Sequence, residues 1–483
     1  MKRRELVKLG FGSRPLAEAA HRAAGSARLA GWKKTAIRRL LADLLADPER
    51  FLAHEHFATL AEKVALEQKA KRGFQPRRPA PYRQWGHDID PNAIQQMENA
   101  CSLPVSAVGA LMPDAHVGYG LPIGGVLGVR NAVIPYAVGV DIACRMKMSV
   151  LDLPLTALDG QRDRLKKMLV RETRFGLGAQ FRGDRRQHDV LDDDWDASPV
   201  TRRYKDKAWA QLGTSGSGNH FVEYGILELG PQSDADGRES SEGEAAPEDW
   251  PFELPPGRYL AVLSHSGSRG TGASVASFYS KLAMDLHPEL PKQLRHLAWL
   301  DLDSEPGQEY WQAMELMGRY AAANHDCIHR HLAKALGVKV LLDVENHHNF
   351  AWLEEHQGEP LVVHRKGATP AAAGDLGIIP GSMASPAYVV RGLGNPASLD
   401  SASHGAGRVM SRKKAKNSFT WHQARVLLEE RGVEVLSAGI DEVPMVYRDI
   451  NKVMAAQTDL VETLGRFHPR IVKMAPEGER AED

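Results

Sequence analysis

Gly216-Ser217-Gly218-Asn219-His220-Phe221-Val222-Glu223-Tyr224-Gly225-Ile226-Leu227-Glu228-Leu229 is the stretch on which the reading of the fold turns. Its first residues are Gly, Ser and Asn, which bend tightly and can aim backbone N–H groups at a ligand. From Phe221 to Leu229 the composition is that of a strand. A second strand reads over Arg258–Ser264, directly before another Gly/Ser-rich motif, Ser264-His265-Ser266-Gly267-Ser268-Arg269-Gly270. Further strand-like runs, Gly125–Val129, Met146–Leu151 and Val338–Val344, alternate with helical stretches such as Tyr310–Ala335. The expected fold is mixed α+β, with the chemistry on loops at strand ends. Between the two strands, Gly230–Pro256 is acidic and crowded with Ser, Gly, Glu and Pro, including Ser240-Ser241-Glu242-Gly243-Glu244. That composition reads as an exposed insertion at about 230–256.

Glycine or asparagine recurs in Asn346-His347-His348-Asn349 and His404-Gly405-Ala406-Gly407-Arg408, while Asp141-Ile142-Ala143-Cys144, just after Gly139, adds a carboxylate and a thiol. Imidazole, thiolate and carboxylate together suit a borderline divalent ion better than the all-oxygen shells of magnesium or calcium. With 20 histidines in the chain, any single one reads equally as a surface or core residue. His404 taken alone reads as a histidine on a glycine turn, and Phe221 and Tyr447 as core aromatics. The constellation says more than its members.

At 483 residues the chain is long enough for about three units, or for one large catalytic domain with an appendage. Three cysteines, Cys101, Cys144 and Cys327, cannot make a disulfide framework. No apolar run reaches membrane-spanning length. Met1-Lys2-Arg3-Arg4-Glu5 is not followed by a hydrophobic signal core, so the cytoplasm is the expected location. Net charge is zero, yet residues 1–80 hold 18 Lys/Arg against 8 Asp/Glu. This segment either attracts phosphate by counterion release or is a basic solvated helical face. Ile37, Leu40, Leu41, Leu44 and Leu45 recur at helical spacing, Asp47-Pro48 begins a break, and Lys69–Tyr82 reads as a linker. The expected division is a basic helical extension over 1–80 and a catalytic domain over 81–483. There is no internal repeat and no Walker-type loop.

Seven ordered motifs carry a family resemblance: Met112-Pro113-Asp114-Ala115-His116-Val117-Gly118-Tyr119-Gly120, Pro122-Ile123-Gly124-Gly125, Gly218-Asn219-His220-Phe221, His265-Ser266-Gly267-Ser268-Arg269-Gly270, His364-Arg365-Lys366-Gly367-Ala368-Thr369, Pro380-Gly381-Ser382-Met383 and His404-Gly405-Ala406-Gly407-Arg408. In that order they resemble the RtcB family of RNA ligases, from about Trp85 to Lys473. The resemblance implies joining of RNA ends bearing a 2′,3′-cyclic phosphate or 3′-phosphate to ends bearing a 5′-hydroxyl, with GTP and two manganese ions. It implies that Cys144 is shared by both ions, with Asp141 and His220 completing one site and His265 and His348 the other. It makes His404 the nucleophile that carries GMP, and Gly405, Ala406, Gly407 and Arg408 its phosphate-side neighbours. Asn219, His220, Phe221, Val222 and Glu223 would line the guanylate site, His348 and Asn349 its phosphates, and Pro380, Gly381, Ser382 and Met383 a backbone cradle. Tyr447 and Lys473 would finish the base pocket.

Four positions depart from the family pattern. Ala143 and Arg145 stand beside Cys144 where relatives carry Asn and Gly, Ala387 replaces a serine, and Met474 replaces a glycine after the last lysine. A loop residue next to a buried ligand points away from it, so Arg145 is expected to face RNA or a neighbouring carboxylate. The altered pocket around Ala387 and Met474 keeps a second reading open, a metal-dependent phosphoesterase that opens cyclic phosphates without ligating. A silent RNA-binding module is a third, disfavoured by the retention of His404 and all five metal-ligand positions. Neither oligomeric state nor the physiological RNA is set by the sequence.

Overall fold

A computed structural model describes residues 1–230 and 247–479. These divide into two units, Met1–Gln75 with Leu282–Ala298, and Pro76–Lys281 with Trp299 onward.

The first unit holds the expected helices, α1 (Arg3–Leu9), α2 (Arg14–Leu29), α3 (Lys34–Ala46) and α4 (Ala58–Arg72). Ser13 caps α2 by accepting from the Leu16 N–H, and α3 stops where Asp47-Pro48 begins. Ile37, Leu41 and Leu44 face a core with Leu6, Phe57 and Leu60, while Ala20, Ala24 and Ala27 let α2 approach closely. The chain 282–298 joins this unit through Lys69, whose Nζ donates to the Leu286 carbonyl at 3.2 Å and lies 3.3 Å from Glu289.

The second unit is built on two sheets. The strands of these two sheets are β1 (Tyr82–Gln84), β2 (Ser106–His116), β3 (Ile123–Val129), β4 (Arg145–Leu151), β5 (Phe221–Leu229), β6 (Gly257–Ser266), β7 (Val340–His347), β8 (Phe350–His356), β9 (Glu359–Lys366), β10 (Leu376–Ile379), β11 (Ala387–Gly392), β12 (Glu434–Ser437) and β13 (Val461–Met474). One sheet runs β1-β2-β3-β9-β8; the other runs β10-β11-β13-β5-β6-β4-β7, with β12 paired to β13. The fold is α+β, as expected from the sequence. β5 and β6 pair antiparallel, from Phe221 opposite His265 to Leu229 opposite Gly257. Of the stretch 230–256, residues 231–246 lie outside the described ones; beyond them, Phe252 is buried against the core of the larger sheet. Two further helices matter here, α5 (Arg269–Leu286) and α6 (Glu305–Leu336). Among the described residues no helix is long and apolar enough to cross a membrane.

Period-2 alternation gives β4 two different faces. Met146, Met148 and Val150 enter an apolar core with Leu227, Leu263 and Phe467. Arg145, Lys147 and Ser149 point the other way, and all three are buried. Helix α6 is capped by Ser304, which accepts from the Gly307 N–H, and ends at Gly337 in the left-handed region, φ 66°. Its Ile328, Leu332 and Leu336 pack with Val222, Leu260 and Val262 of β5 and β6. Each such residue contributes roughly 1.5–3 kcal/mol, enough together to hold a helix that also buries Asn324, His325 and His329.

Candidate active site

The ends of β4, β5, β6 and β7 and their adjoining loops converge on a cavity of about 840 Å³. Cys144 sits just before β4, His220 just before β5, His265 near the end of β6 and His348 just after β7. Cys144 Sγ lies 3.4 Å from His220 Nε2 and 3.1 Å from His265 Nε2. His265 Nε2 lies 3.2 Å from His348 Nε2, and His220 Nε2 lies 3.1 Å from Asp141 Oδ2. Two buried donor sets result, Asp141/Cys144/His220 and Cys144/His265/His348, each with its ligand atoms within 4.8 Å of one another. These are the two sets named from the sequence, with the thiol common to both.

The imidazole orientations suit a cation. His265 Nδ1 lies 3.1 Å from the Asn219 carbonyl, which can only accept, so Nδ1 carries the proton. The lone pair on Nε2 therefore faces His348 Nε2 and Cys144 Sγ. Ligand atoms bonded at ~2.0–2.3 Å around one tetrahedral ion would stand ~3.3–3.7 Å apart, close to what is seen here. Burial pushes the His265 imidazole down to about 3 and the His348 imidazole well below its ordinary range, which keeps both neutral and able to ligate. Burial is the strongest single influence on Asp141 and opposes its charge, but hydrogen bonding and charge from His220, the Cys144 hydrogen bond and the Arg269 charge together hold the carboxyl below its usual value.

The loop carrying Asp141 is braced by three hydrogen bonds from two neighbouring segments. The Ser268 N–H donates to Asp141 Oδ1 at 3.1 Å. The Ala143 N–H donates to the Asn349 carbonyl at 2.8 Å, and Asn349 Nδ2 donates to the Asp141 carbonyl at 3.3 Å. Gly267 is required where it stands, because a Cβ there would lie 2.2 Å from the Asp141 carboxylate oxygens. Ala143 and Asn349 adopt φ of 55° and 59°. Asn tolerates that region, whereas Ala pays about 1–2 kcal/mol, a strain that Ala143 carries.

His404 lies beside the clusters, its ring 5.0 Å from that of His348. Its Nδ1 is 2.7 Å from Oδ2 of Asp114, a carboxylate with no solvent exposure. Nδ1 thus donates to Asp114, leaving Nε2 as a lone pair. Gly407, φ 72°, permits this approach, since a Cβ there would lie 2.3 Å from the Asp114 carbonyl oxygen. Asp114 had no assigned role in the sequence reading; the signal available was an acidic residue inside the His116-bearing motif.

Most of the remaining named residues also line the cavity: Asn219, Phe221, Glu223, Asn349, Pro380 to Met383, Gly405 to Arg408 and Tyr447. Glu223 is 5 % exposed, and burial raises its carboxyl well above the usual range. Arg408 is engaged by the protein, donating to the Asp441 carbonyl at 2.8 Å and to Glu442 at 3.3 Å. The Tyr447 hydroxyl bonds Glu442, and burial drives its ionisation far up.

Two named residues face elsewhere. Lys473 of β13 lies opposite Val222 of β5, while Glu223 pairs with Val472 and Phe221 with Met474. Opposed residues share a face, so Phe221, Glu223, Val472 and Met474 line the cavity while Val222 and Lys473 turn from it. Val222 enters the core beneath α6, and Lys473 Nζ donates to Thr173 Oγ1 at 2.9 Å. Conversely, Lys366, quoted from the sequence only as part of a motif and given no role there, lines the cavity; its Nζ donates to the Tyr119 carbonyl, and burial lowers its ammonium to about 7.

Arg145 points away from Cys144, as alternation along β4 requires. Its Nη1 lies 3.4 Å from Glu345 Oε1 on β7, and Nη2 donates to the Gly318 carbonyl of α6 at 3.3 Å. Arg145→Gly should therefore lower unfolding stability by about 1–3 kcal/mol, read as a shifted denaturant midpoint, while metal affinity stays unchanged. An unchanged midpoint with tighter manganese binding would show that the guanidinium acts on the cluster instead.

The chain matches a family model described as RtcB, tRNA-splicing ligase RtcB, over residues 96–196 and 186–474. It is 33% identical over 428 residues to an RNA-splicing ligase RtcB of Escherichia coli, an alignment covering 80% of this chain and 95% of that protein. It is 29% identical over 449 residues to a tRNA-splicing ligase RtcB of Thermococcus kodakarensis, covering 78% and 89%. An RNA-splicing ligase RtcB of Mycobacterium tuberculosis is 30% identical over 441 residues, covering 77% and 98%.

Proposed function

This chain belongs to the RtcB family, and from that premise we propose that it is a cytoplasmic RNA ligase acting in tRNA splicing or RNA repair. It joins a 2′,3′-cyclic phosphate or 3′-phosphate RNA end to a 5′-hydroxyl end, consuming GTP. The observation that carries the reading is the pair of donor sets sharing Cys144, set one ring contact from a histidine oriented by Asp114.

His404 Nε2 attacks the α-phosphorus of GTP, forming a P–N bond as pyrophosphate leaves. The charge of Asp114 stabilises the imidazolium that results, as a buried carboxylate does for any histidine nucleophile. The RNA 3′-phosphate then takes GMP from His404, and the 5′-hydroxyl displaces GMP to form the splice bond. Two manganese ions would be held by Asp141/Cys144/His220 and Cys144/His265/His348, supplying Lewis-acid stabilisation of phosphate charge when bound. The backbone of Pro380 to Met383 and of Gly405 and Gly407 accommodates phosphate, and the Glu223 carboxyl meets the guanine edge.

A second reading, a cyclic phosphodiesterase that does not ligate, is favoured by one observation: the Lys473 ammonium is turned out of the pocket. One incubation separates the two. With manganese, GTP, a cyclic-phosphate RNA and a 5′-hydroxyl RNA, a joined product is expected. Opening of the cyclic phosphate with no joined product would establish the second reading.

The basic N-terminal unit is assigned to RNA affinity. Arg38 and Arg39 are exposed on α3. Replacing both with Gln should leave nucleotide transfer unchanged while weakening RNA binding and flattening its salt dependence by up to ~0.7 per lost phosphate contact. Equal slopes in both proteins would assign this face to packing.

A further inference from the structure

Behind the clusters, on the face of the larger sheet that meets α6, an unbroken hydrogen-bonded chain runs inward from β7. The Ser149 hydroxyl contacts Asp343 Oδ1, and Ser149 Oγ lies 2.7 Å from His329 Nδ1. His329 Nε2 lies 2.7 Å from Ser264 Oγ, which lies 2.7 Å from His325 Nδ1. His325 Nε2 lies 3.1 Å from the Ser266 carbonyl, and that carbonyl also accepts from the Cys144 thiol at 3.3 Å. Strand register accounts for the alignment: Ser149 is opposite Asp343, and Lys147 is opposite both Ser264 and Glu345.

The number of protons available sets the charge of the hydrogen-bonded chain. Five contacts join Asp343, Ser149, His329, Ser264, His325 and the Ser266 carbonyl, and each needs one proton. Two hydroxyls and two neutral imidazoles supply four. With both imidazoles neutral, one contact of 3.1 Å or less would set lone pair against lone pair. An imidazolium at either histidine satisfies every contact, and reversal of the Ser264 hydroxyl passes the charge from one ring to the other.

We propose that the His325–His329 pair carries one proton beyond neutrality at pH 7.5, and that this charged relay positions the Ser266 carbonyl and, through it, Cys144. Its second half rests on the metal reading above; its first half does not.

Charged and titratable groups on β4, β6, β7 and α6 surround the pair. Burial favours neutral rings, as do Lys147 beside His329 and Arg145 and His265 near His325. Asp343 and Glu345 oppose this from β7, each 3.6 Å from Lys147 Nζ. Asp343 is itself half-exposed and close to that ammonium, so the chain places the extra proton on imidazole rather than on the carboxyl. Among the described residues, His325 and His329 hydrogen-bond to serines and one carbonyl, not to a metal-ligand side chain. They are positioning residues.

Nitrogen-15 NMR of the metal-free full chain, labelled at histidine, tests the charge. At pH 7.5 one imidazolium equivalent is expected, lost in both His329→Gln and His325→Asn. Asp343→Asn, a half-exposed position where misfolding is not expected, should make that signal titrate away at least one pH unit lower. Finding every buried histidine neutral at pH 7.5, or an imidazolium that persists in both histidine variants, would overturn the relay. For the positioning role, manganese titration should show binding weakened about tenfold in His329→Gln, partly restored in His329→Lys, which returns the charge. Unaltered affinity in a folded His329→Gln protein would overturn that half. Absence of manganese binding in the unaltered chain would instead count against the metal reading.

Discussion

His404→Ala is expected to abolish covalent attachment of GMP and, with it, all ligation dependent on GTP, while the unfolding midpoint changes little. The ring is part-buried and, among the described residues, hydrogen-bonds to Asp114, so truncation deletes the proposed nucleophile without opening the core. The check is radiolabelled GTP with manganese, followed by acid treatment: the adduct should be acid-labile and absent from the variant. A label on a lysine, or undiminished in His404→Ala, would end the assignment. Asp114→Asn supplies the finer test. It keeps an acceptor at Nδ1 but removes the charge, so adduct formation should slow by about 10²–10⁴-fold rather than vanish.

Cys144→Ala should produce the largest loss on the metal side. One thiol serves both donor sets, so its removal takes a ligand from each ion, and titration should show both sites weakened together. His265→Ala removes a ligand from one set only, and one ion should remain close to its original affinity. Two ions bound with unchanged affinity in Cys144→Ala would refute the shared role. Metal identity enters the same experiment. Nitrogen and sulfur donors bind zinc more tightly than manganese by the usual order, so protein purified with zinc should regain guanylylation after chelation and manganese replacement.

Much of the site was legible because its chemistry is local. Each proposed ligand sits at or beside a strand end, and the strands Phe221–Leu229 and Gly257–Ser266 stand where composition put them. What escaped notice depended on direction. Val222 and Lys473 belong to the right motifs but to the wrong face of their strands, and a motif match carries no phase. Asp114 is separated from His404 by 290 residues, and only the fold brings the two to hydrogen-bonding distance. The buried polar face of β4 was hidden for another reason. Arg145, Lys147 and Ser149 alternate with apolar residues, a pattern that reads as a strand with one wet side, yet α6 covers that side. Recruitment of residues 282–298 to the N-terminal unit is a long-range event that the local sequence does not encode.

The slot left by Gly267 ties together the mutational fates of two loops far apart in the chain. The carboxylate of Asp141 occupies the space a methyl group would need at 267, so neither position can drift alone. A side chain acquired at 267 has to be preceded by a shorter residue at 141, and that shortening already forfeits a metal ligand under the reading above. Every single-step path away from the present pair therefore crosses an inactive intermediate. In a library varied at both positions and selected for ligation, Asp141 and Gly267 should return together, with the double-substituted combinations as empty as the single ones.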